Sequence, residues 1–244
     1  MKQTRFRHLI ALILLMCCTL GYAQEFEFEG LIYKVIDASK RYVEVYGADT
    51  ETVKIPSTVT RGGVKYTVTS IGDDAFRYDS SLTSITLPSG LTSIGHAAFL
   101  GCESLTSITI PSSVKSIGWD AFFECFSLTQ IQVAPDNPVY DSRDNCNAII
   151  ETKSNTLISG CVSTIIPSSV KSIGKEAFAC CYSLTSITIP SSVTCIGESA
   201  FSCCSSLTEV RIPYYCDVDE FAFLNSPKAK IIRYDPISLI IKRT

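Results

Sequence analysis

The chain has 244 residues, 46% of them hydrophobic, with 21 basic against 24 acidic side chains. No long block of lysine or arginine follows residue 10, which argues against electrostatic capture of nucleic acid. Twelve cysteines are many for this length, and their meaning depends on the compartment; the two histidines are His8 and His96.

The N-terminus addresses the compartment. Lys2, Arg5 and Arg7 precede an apolar run from Leu9 to Leu20, and Gly21-Tyr22-Ala23 then places small residues three before and one before a cut. Residues 1–23 read as a secretory signal peptide cleaved after Ala23. A membrane anchor fits less well, because 12 apolar residues fall short of the ~20 needed to span a bilayer. A lipoprotein signal also fits less well, since Met16 precedes Cys17 where a small residue belongs. Cleavage removes three basic residues and no acidic ones, taking the formal net charge from −3 to −6. The expected destination is extracellular or cell-surface, with the periplasm as the other export compartment, and the mature chain is expected to carry no transmembrane segment.

Residues 24–70 read as N-terminal capping hairpins. Phe26, Phe28, Ile32 and Val35 alternate, Asp37-Ala38-Ser39-Lys40 supplies a turn, and Tyr42, Val43 and Val45 follow. Arg61-Gly62-Gly63, flanked by Val/Thr/Tyr alternation, predicts a second hairpin whose glycines take the φ > 0 positions. A stacked array needs such an atypical end to cover its core and its sheet edge.

The array itself occupies residues 71–225. The phrase Ile-Gly-x-x-Ala-Phe-x-x-Cys starts at Ile71, Ile94, Ile117, Ile173 and Ile196, and a looser copy starts at Val218. The intervals are 23, 23, 56, 23 and 22 residues, and a fixed period in the low twenties means a solenoid. After each of the first five copies comes Ser-Leu-Thr and a beat of alternating apolar residues, such as Ile108-Thr109-Ile110, closed by proline in most copies. Alternation is strand spacing, and proline stops the strand because it lacks the N–H to continue the ladder. The Ala-Phe segment is expected to make a short turn of helix with alanine, phenylalanine and cysteine inward. Phe76, Phe99, Phe122, Phe178, Phe201 and Phe223 should then form one internal ladder. Each buried phenylalanine contributes roughly 1.5–3 kcal/mol.

This phrase resembles the repeat of the BspA-like leucine-rich repeat family of bacterial secreted and cell-surface proteins, over roughly residues 53 to 225. The resemblance implies a leucine-rich-repeat solenoid, α/β but mostly β, of parallel stacked short strands with short helical turns and about 23 residues per repeat. It further implies a curved array with the parallel sheet on its concave face. It implies binding of host or bacterial proteins for some members, and no catalysis.

The 56-residue interval contains an insert at about 134–164, since the beat resumes at Ile165-Ile166-Pro167. Ala148-Ile149-Ile150-Glu151 and Asn155-Thr156-Leu157-Ile158, joined through Lys153-Ser154, read as a hairpin. A long insert on one face of an array is often where binding happens. Residues 226–244 read as a C-terminal cap with closing strands at Ile231-Ile232 and Ile237–Ile241, and no sorting tail or C-terminal anchor is expected.

Chemistry is sparse. Cys102, Cys125, Cys181 and Cys204 share one repeat position without a CxxC spacing, so buried thiols packing as small hydrophobes is the main reading and no metal is expected. If Thr152 faces Asn155, counting outward puts Cys146 opposite Cys161, which allows a disulfide; two free thiols is the alternative. His96 sits at a variable, mostly polar position, and the recurring serines are repeat filler, so neither marks a nucleophilic site. The acidic stretch Asp136–Asn147 lacks the glycine and final glutamate of an EF-hand loop. No cofactor, metal or catalytic residue is expected.

Between the inward leucine and isoleucines, alternate residues point out of the sheet: Ser84 and Thr86, Ser107 and Thr109, Gln130 and Gln132, Ser186 and Thr188, Glu209 and Arg211. The expected function is a secreted or surface module that binds a protein or peptide along this strip, anchored where the repeats differ. The candidates are Gln130, Gln132, Glu209 and Arg211, with Tyr140 and Arg143 on the insert. A structural spacer without a ligand is the alternative, and an enzyme is a third.

Overall fold

The computed structural model describes residues 25–48 and 50–236. The signal-peptide reading of residues 1–23 and the closing strand expected at Ile237–Ile241 lie outside the described residues.

At the N-terminal end, Glu25–Phe28, Leu31–Asp37 and Tyr42–Ala48 run antiparallel as a meander. Tyr42–Ala48 then pairs parallel with Val64–Ile71, and Thr58–Arg61 folds back antiparallel onto Val64–Ile71. The turn between them holds Gly62 at φ 56° and Gly63 at φ 78°, the left-handed pair that matches the twist of a two-residue hairpin. Leu31, Tyr33 and Val35 alternate inward and are buried, so this cap closes the core of the stack.

Each rung of the solenoid contributes two short strands. One set stacks in parallel at Val64–Ile71, Ser93–Ile94 and Ser116–Ile117, and resumes at Thr156–Gly160, Ser172–Ile173, Cys195–Ile196 and Asp217–Val218. The motif glycine follows this strand because neighbouring rungs touch there. A Cβ on Gly118 would lie 2.4 Å from the His96 nitrogen. The second set carries the Leu-x-x-Ile-x-Ile beat and forms three separate parallel ladders. Thr52–Lys54 pairs with Ser84–Thr86, Ser107–Ile110 with Gln130–Val133, and Ser186–Thr188 with Glu209–Pro213 and then Lys230–Tyr234.

The Ala-Phe segment is not helical, which corrects the expectation of short helical turns. The fourth and eighth positions of the phrase take left-handed backbone, as at Asp74 and Tyr78 (φ 55° and 57°) or Glu176 and Cys180 (both 57°). One residue in four is left-handed there, and every second amide points along the array to the next rung. Thus Asp74, Phe76 and Tyr78 donate to the His96, Ala98 and Leu100 carbonyls at 2.7–2.8 Å. The set repeats from Ala97, Phe99 and Gly101 to Trp119, Ala121 and Phe123. The thiols join in: Cys102, Cys125 and Cys204 donate to the preceding Phe76, Phe99 and Phe178 carbonyls at 3.1–3.2 Å. Ser226 takes the cysteine position in the last copy and makes the same bond to Phe201 at 2.7 Å.

The phenylalanine ladder is real but broken. Phe76, Phe99 and Phe122 stack nearly parallel, with centroids 5.3 and 5.5 Å apart, and Phe178, Phe201 and Phe223 do so at 5.0 and 5.3 Å. Phe122 does not lie against Phe178, because the insert comes between them. Its strand Ala148–Glu151 is a partition: Ile149 packs into the core of the first half, while Ala148 and Ile150 pack into the core of the second. Phe178 is covered instead by the backbone of Gly160, where a Cβ would come within 2.2 Å of the ring. Gly160 donates to the Ala177 carbonyl at 2.7 Å, the bond that a preceding rung's phenylalanine amide makes elsewhere.

Burial therefore separates two equivalent phenylalanines. Phe99 is fully enclosed between two rings, whereas Phe122 is half-buried with one face on the break. Phe99→Ala should cost about 3–5 kcal/mol, and Phe122→Ala about half as much, in urea melts followed by circular dichroism. Equal losses at both sites would show that the ladder continues past Phe122.

Candidate functional site

The strand face carries the strip expected from the alternation. In the Ser107–Ile110 and Gln130–Val133 ladder, Gln130 lies beside Ser107 and Gln132 beside Thr109. In the last ladder Ser186, Glu209 and Lys230 form one row, and Thr188, Arg211 and Ile232 form the next. Inward neighbours such as Ile131, Val210 and Ile212 are buried, while Gln130, Gln132, Thr188 and Arg211 are exposed. Strand periodicity of two produces this separation directly.

Charge on the strip is local. Arg211 and Glu209 form an exposed ion pair at 3.9 Å, a contact typically worth about 0–1 kcal/mol. Both groups stay free to exchange that contact for a partner's. Two apolar residues complete the strip and escaped the sequence reading. Ile165 is 79% exposed and stands two before Pro167, where Thr188 stands two before Pro190. The signal was available, namely an isoleucine on an outward beat. Ile232, in register with Arg211, is exposed as well.

The two insert residues do different work. Tyr140 is only 7% exposed, its hydroxyl accepts the Ile117 N–H at 3.2 Å, and burial pushes its pKa up. Arg143 grips the Asp141 carboxylate with two nitrogens and also reaches Asn155 Oδ1 at 2.6 Å and Ser169 Oγ at 3.3 Å. Its donors lock the insert rather than face a partner. Asn137 anchors the entry to the insert. Its Nδ2 donates to the Pro111 and Val114 carbonyls at 2.9 and 3.0 Å, and its Oδ1 accepts the Val139 and Tyr140 amides at 2.9 Å.

Cys146 and Cys161 are free thiols here. The hairpin begins in the counted register, with Glu151 beside Thr156 and Ile150 beside Leu157. A bulge at Ile158 then shifts it by one, so that Ile149 faces Ser159 and Ala148 faces Gly160. The shift sends the two thiols to opposite sides of the partition, Cys161 into the first core and Cys146 into the second. The remaining core thiols are unreactive by environment: burial pushes Cys125 and Cys204 up to about 12. His96 is exposed, with Nδ1 2.9 Å from the Trp119 carbonyl. Among the described residues no group of three or more His, Cys, Asp or Glu side chains is placed to hold a metal ion. None of the described helices is long and apolar enough to cross a membrane.

The BspA type leucine rich repeat region matches residues 69–156 and 147–242, in six copies. No curated protein matches the sequence. Among solved structures, a leucine-rich repeat protein from Bacteroides ovatus is 28% identical, with a TM-score of 0.62. That match covers 86% of this chain and 53% of the other, so this chain spans about half that protein's length. The leucine rich repeat protein of T. pallidum is 24% identical over 86% of this chain and 81% of its own, with a TM-score of 0.47. A leucine rich cell surface protein from Faecalibacterium prausnitzii is 20% identical over 89% of this chain and 96% of its own, with a TM-score of 0.29.

Asn137 is buried and fully bonded, so Asn137→Ala would leave the Pro111 and Val114 carbonyls and two amides without partners. Each orphaned buried group costs about 1–3 kcal/mol. A loss of at least about 2 kcal/mol in chemical melts is the expected result. A loss below about 0.5 kcal/mol would mean that the insert holds its place without this anchor.

Proposed function

The chain belongs to the BspA-type leucine-rich repeat family, and from that premise we propose that it is an exported, non-catalytic module that binds a protein or peptide ligand along its strand face. One observation carries the reading: the outward residues of the ladders are exposed or half-buried, in register, and differ from rung to rung at a few sites only. The identical rungs offer small hydroxyls, which cost little entropy to order but give a partner little to discriminate. Binding energy concentrates in a few larger side chains. Gln130 and Gln132 on one ladder, and Glu209 and Arg211 on another, are the anchors, and Ile165 and Ile232 add exposed apolar area. Tyr140 and Arg143 position the insert from inside and leave the anchor set.

Export rests on Lys2, Arg5 and Arg7 ahead of Leu9–Leu20 and on the small residues ending at Ala23. The ligand is accordingly an extracellular protein or peptide, and the chain is extracellular, surface-bound or periplasmic. The competing reading is a spacer with no ligand. The repetition of Ser-Leu-Thr-Ser-Ile-Thr-Ile-Pro at Ser104 and Ser183 favours it, since a spacer needs only uniform rungs.

The test begins with capture from host and bacterial extracellular extracts and identification of the bound protein. Gln130→Ala/Gln132→Ala and Glu209→Ala/Arg211→Ala should each weaken the purified interaction by about tenfold or more, as anchors do. Lys175→Ala and Glu198→Ala, on the turn side, should leave it unchanged. If only the turn-side changes weaken binding, the strand face is not the site.

A further inference from the structure

The insert replaces one rung incompletely. Its strand Thr156–Gly160 heads the short-strand stack of the second half, but on the turn side it supplies only Gly160 where a whole Ala-Phe turn would stand. The space left is a notch of about 570 Å³ between the turn that ends in Cys125 and the turn that begins at Gly174. Phe122, Phe126, Ile158 and Cys181 give it apolar walls. That volume lies in the range of pockets that enclose a side chain or small ligand, about 300–1,000 Å³.

The notch also has an unused hydrogen-bonding edge. In the rungs on either side, the amides at the fourth, sixth and eighth motif positions donate to the next rung. The same three positions facing the notch are Asp120, Phe122 and Glu124, and among the described residues their amides have no protein acceptor. Backbone donors at a part-buried edge require partners, and a chain laid against such an edge supplies its carbonyls. Cys181 shows the same deficit from the far side. Its counterparts Cys102, Cys125 and Cys204 each donate to a phenylalanine carbonyl, and Cys181 has none to reach.

Charge selects the occupant. Asp120, Glu151 and Glu176 line the opening, Glu124 adds its charge near Tyr182, and Lys175 is already engaged by Glu198 at 3.1 Å. We propose that the notch binds an extended peptide segment of another protein, which hydrogen-bonds to the Asp120, Phe122 and Glu124 amides and inserts one aromatic side chain beside Phe122, with lysine or arginine flanking it. The ligand stands in for the missing rung. This site lies on the turn side and is separate from the strip of the strand face.

Glu176 and Asp120 meet across the opening. Burial and a hydrogen bond shared with Asp120 push the Glu176 carboxyl up to about 7, with Lys175 opposing and Glu198 reinforcing the rise. Below that pH Glu176 is protonated and hydrogen-bonds across the opening to Asp120, holding the rim together. Above it Glu176 loses the proton that makes this bond, and its charge attracts the basic flanks of the ligand. Affinity should therefore rise from pH 6 to pH 8.

Trp119 is the chain's single tryptophan, is 85% exposed and lines the notch, so its fluorescence reports occupancy. The probe is acetyl-Gly-Lys-Ala-Phe-Ala-Lys-Gly-amide, titrated into the full chain. A saturable change is expected, at least about tenfold weaker when Gly replaces the Phe or Glu replaces both Lys. Cys181→Phe fills the notch and should abolish binding. Glu124→Lys, a change at the half-buried edge that reverses its charge, should weaken it. Glu176→Gln should flatten the rise between pH 6 and 8, and Gln130→Ala/Gln132→Ala should change nothing. No saturable signal up to about 1 mM, or equal binding of the control peptides, would overturn the proposal. So would self-association of the chain that Cys181→Phe abolishes, which would assign the notch to a second copy.

Discussion

Everything on the turn side depends on one interaction: an amide of one rung donating to a carbonyl of the next. To aim those amides along the array, the backbone turns left-handed at every fourth residue, and residues as unsuited to it as Ala97, Cys180 and Cys203 adopt positive φ. Each such residue costs about 1–2 kcal/mol. The neighbouring rung offsets that cost by accepting the amides, stacking its ring and, through its thiol, satisfying the phenylalanine carbonyl. A rung is stable only as part of a pair, which is the quasi-one-dimensional logic of repeat proteins.

The insert interrupts that logic without ending it. Ala148–Glu151 turns one face to each half, so that Ile149 closes one core and Ala148 with Ile150 closes the other. Asn137 ties this wall to the rung before it, and Arg143 ties it to its own hairpin and to Ser169. The hairpin in turn is joined to the second half through the parallel pairing of Thr156–Gly160 with Ser172–Ile173. The strand-face ladders are divided by the same wall, which sets Gln130 and Gln132 on one segment and Glu209 and Arg211 on another. A ligand of the strand face would cross the division, with Ile165 at the corresponding beat.

Much of this was legible because like stacks on like. The period gave the solenoid, the alternation gave the exposed strip, and the phenylalanines found one another within each half. The break was less legible for a physical reason. A strand with apolar residues at consecutive positions, Ala148-Ile149-Ile150, is buried on both faces, and sequence alone does not say by what. A single bulge at Ile158 moved Cys146 and Cys161 to opposite sides of the wall, and no residue type announces a bulge of that kind. Tyr140 and Arg143 looked like anchors because such residues often are; here a hydroxyl and a guanidinium were consumed by Ile117, Asp141 and Asn155. The left-handed turn hid as well, since alanine and cysteine carry no signal for positive φ, whereas Ile165 was readable as an apolar residue on an outward beat.

The central claim is that the turn-side stack stops at the rung of Phe122 and restarts at the rung of Phe178. Amide hydrogen exchange, resolved residue by residue by NMR, tests it most directly. The Ala97, Phe99 and Gly101 amides, and those of Glu176, Phe178 and Cys180, should be strongly protected by their bonds to the next rung. The Asp120, Phe122 and Glu124 amides should exchange orders of magnitude faster in the unliganded chain. Equal protection at all three sets would contradict the account, because it would mean that a rung already occupies the notch.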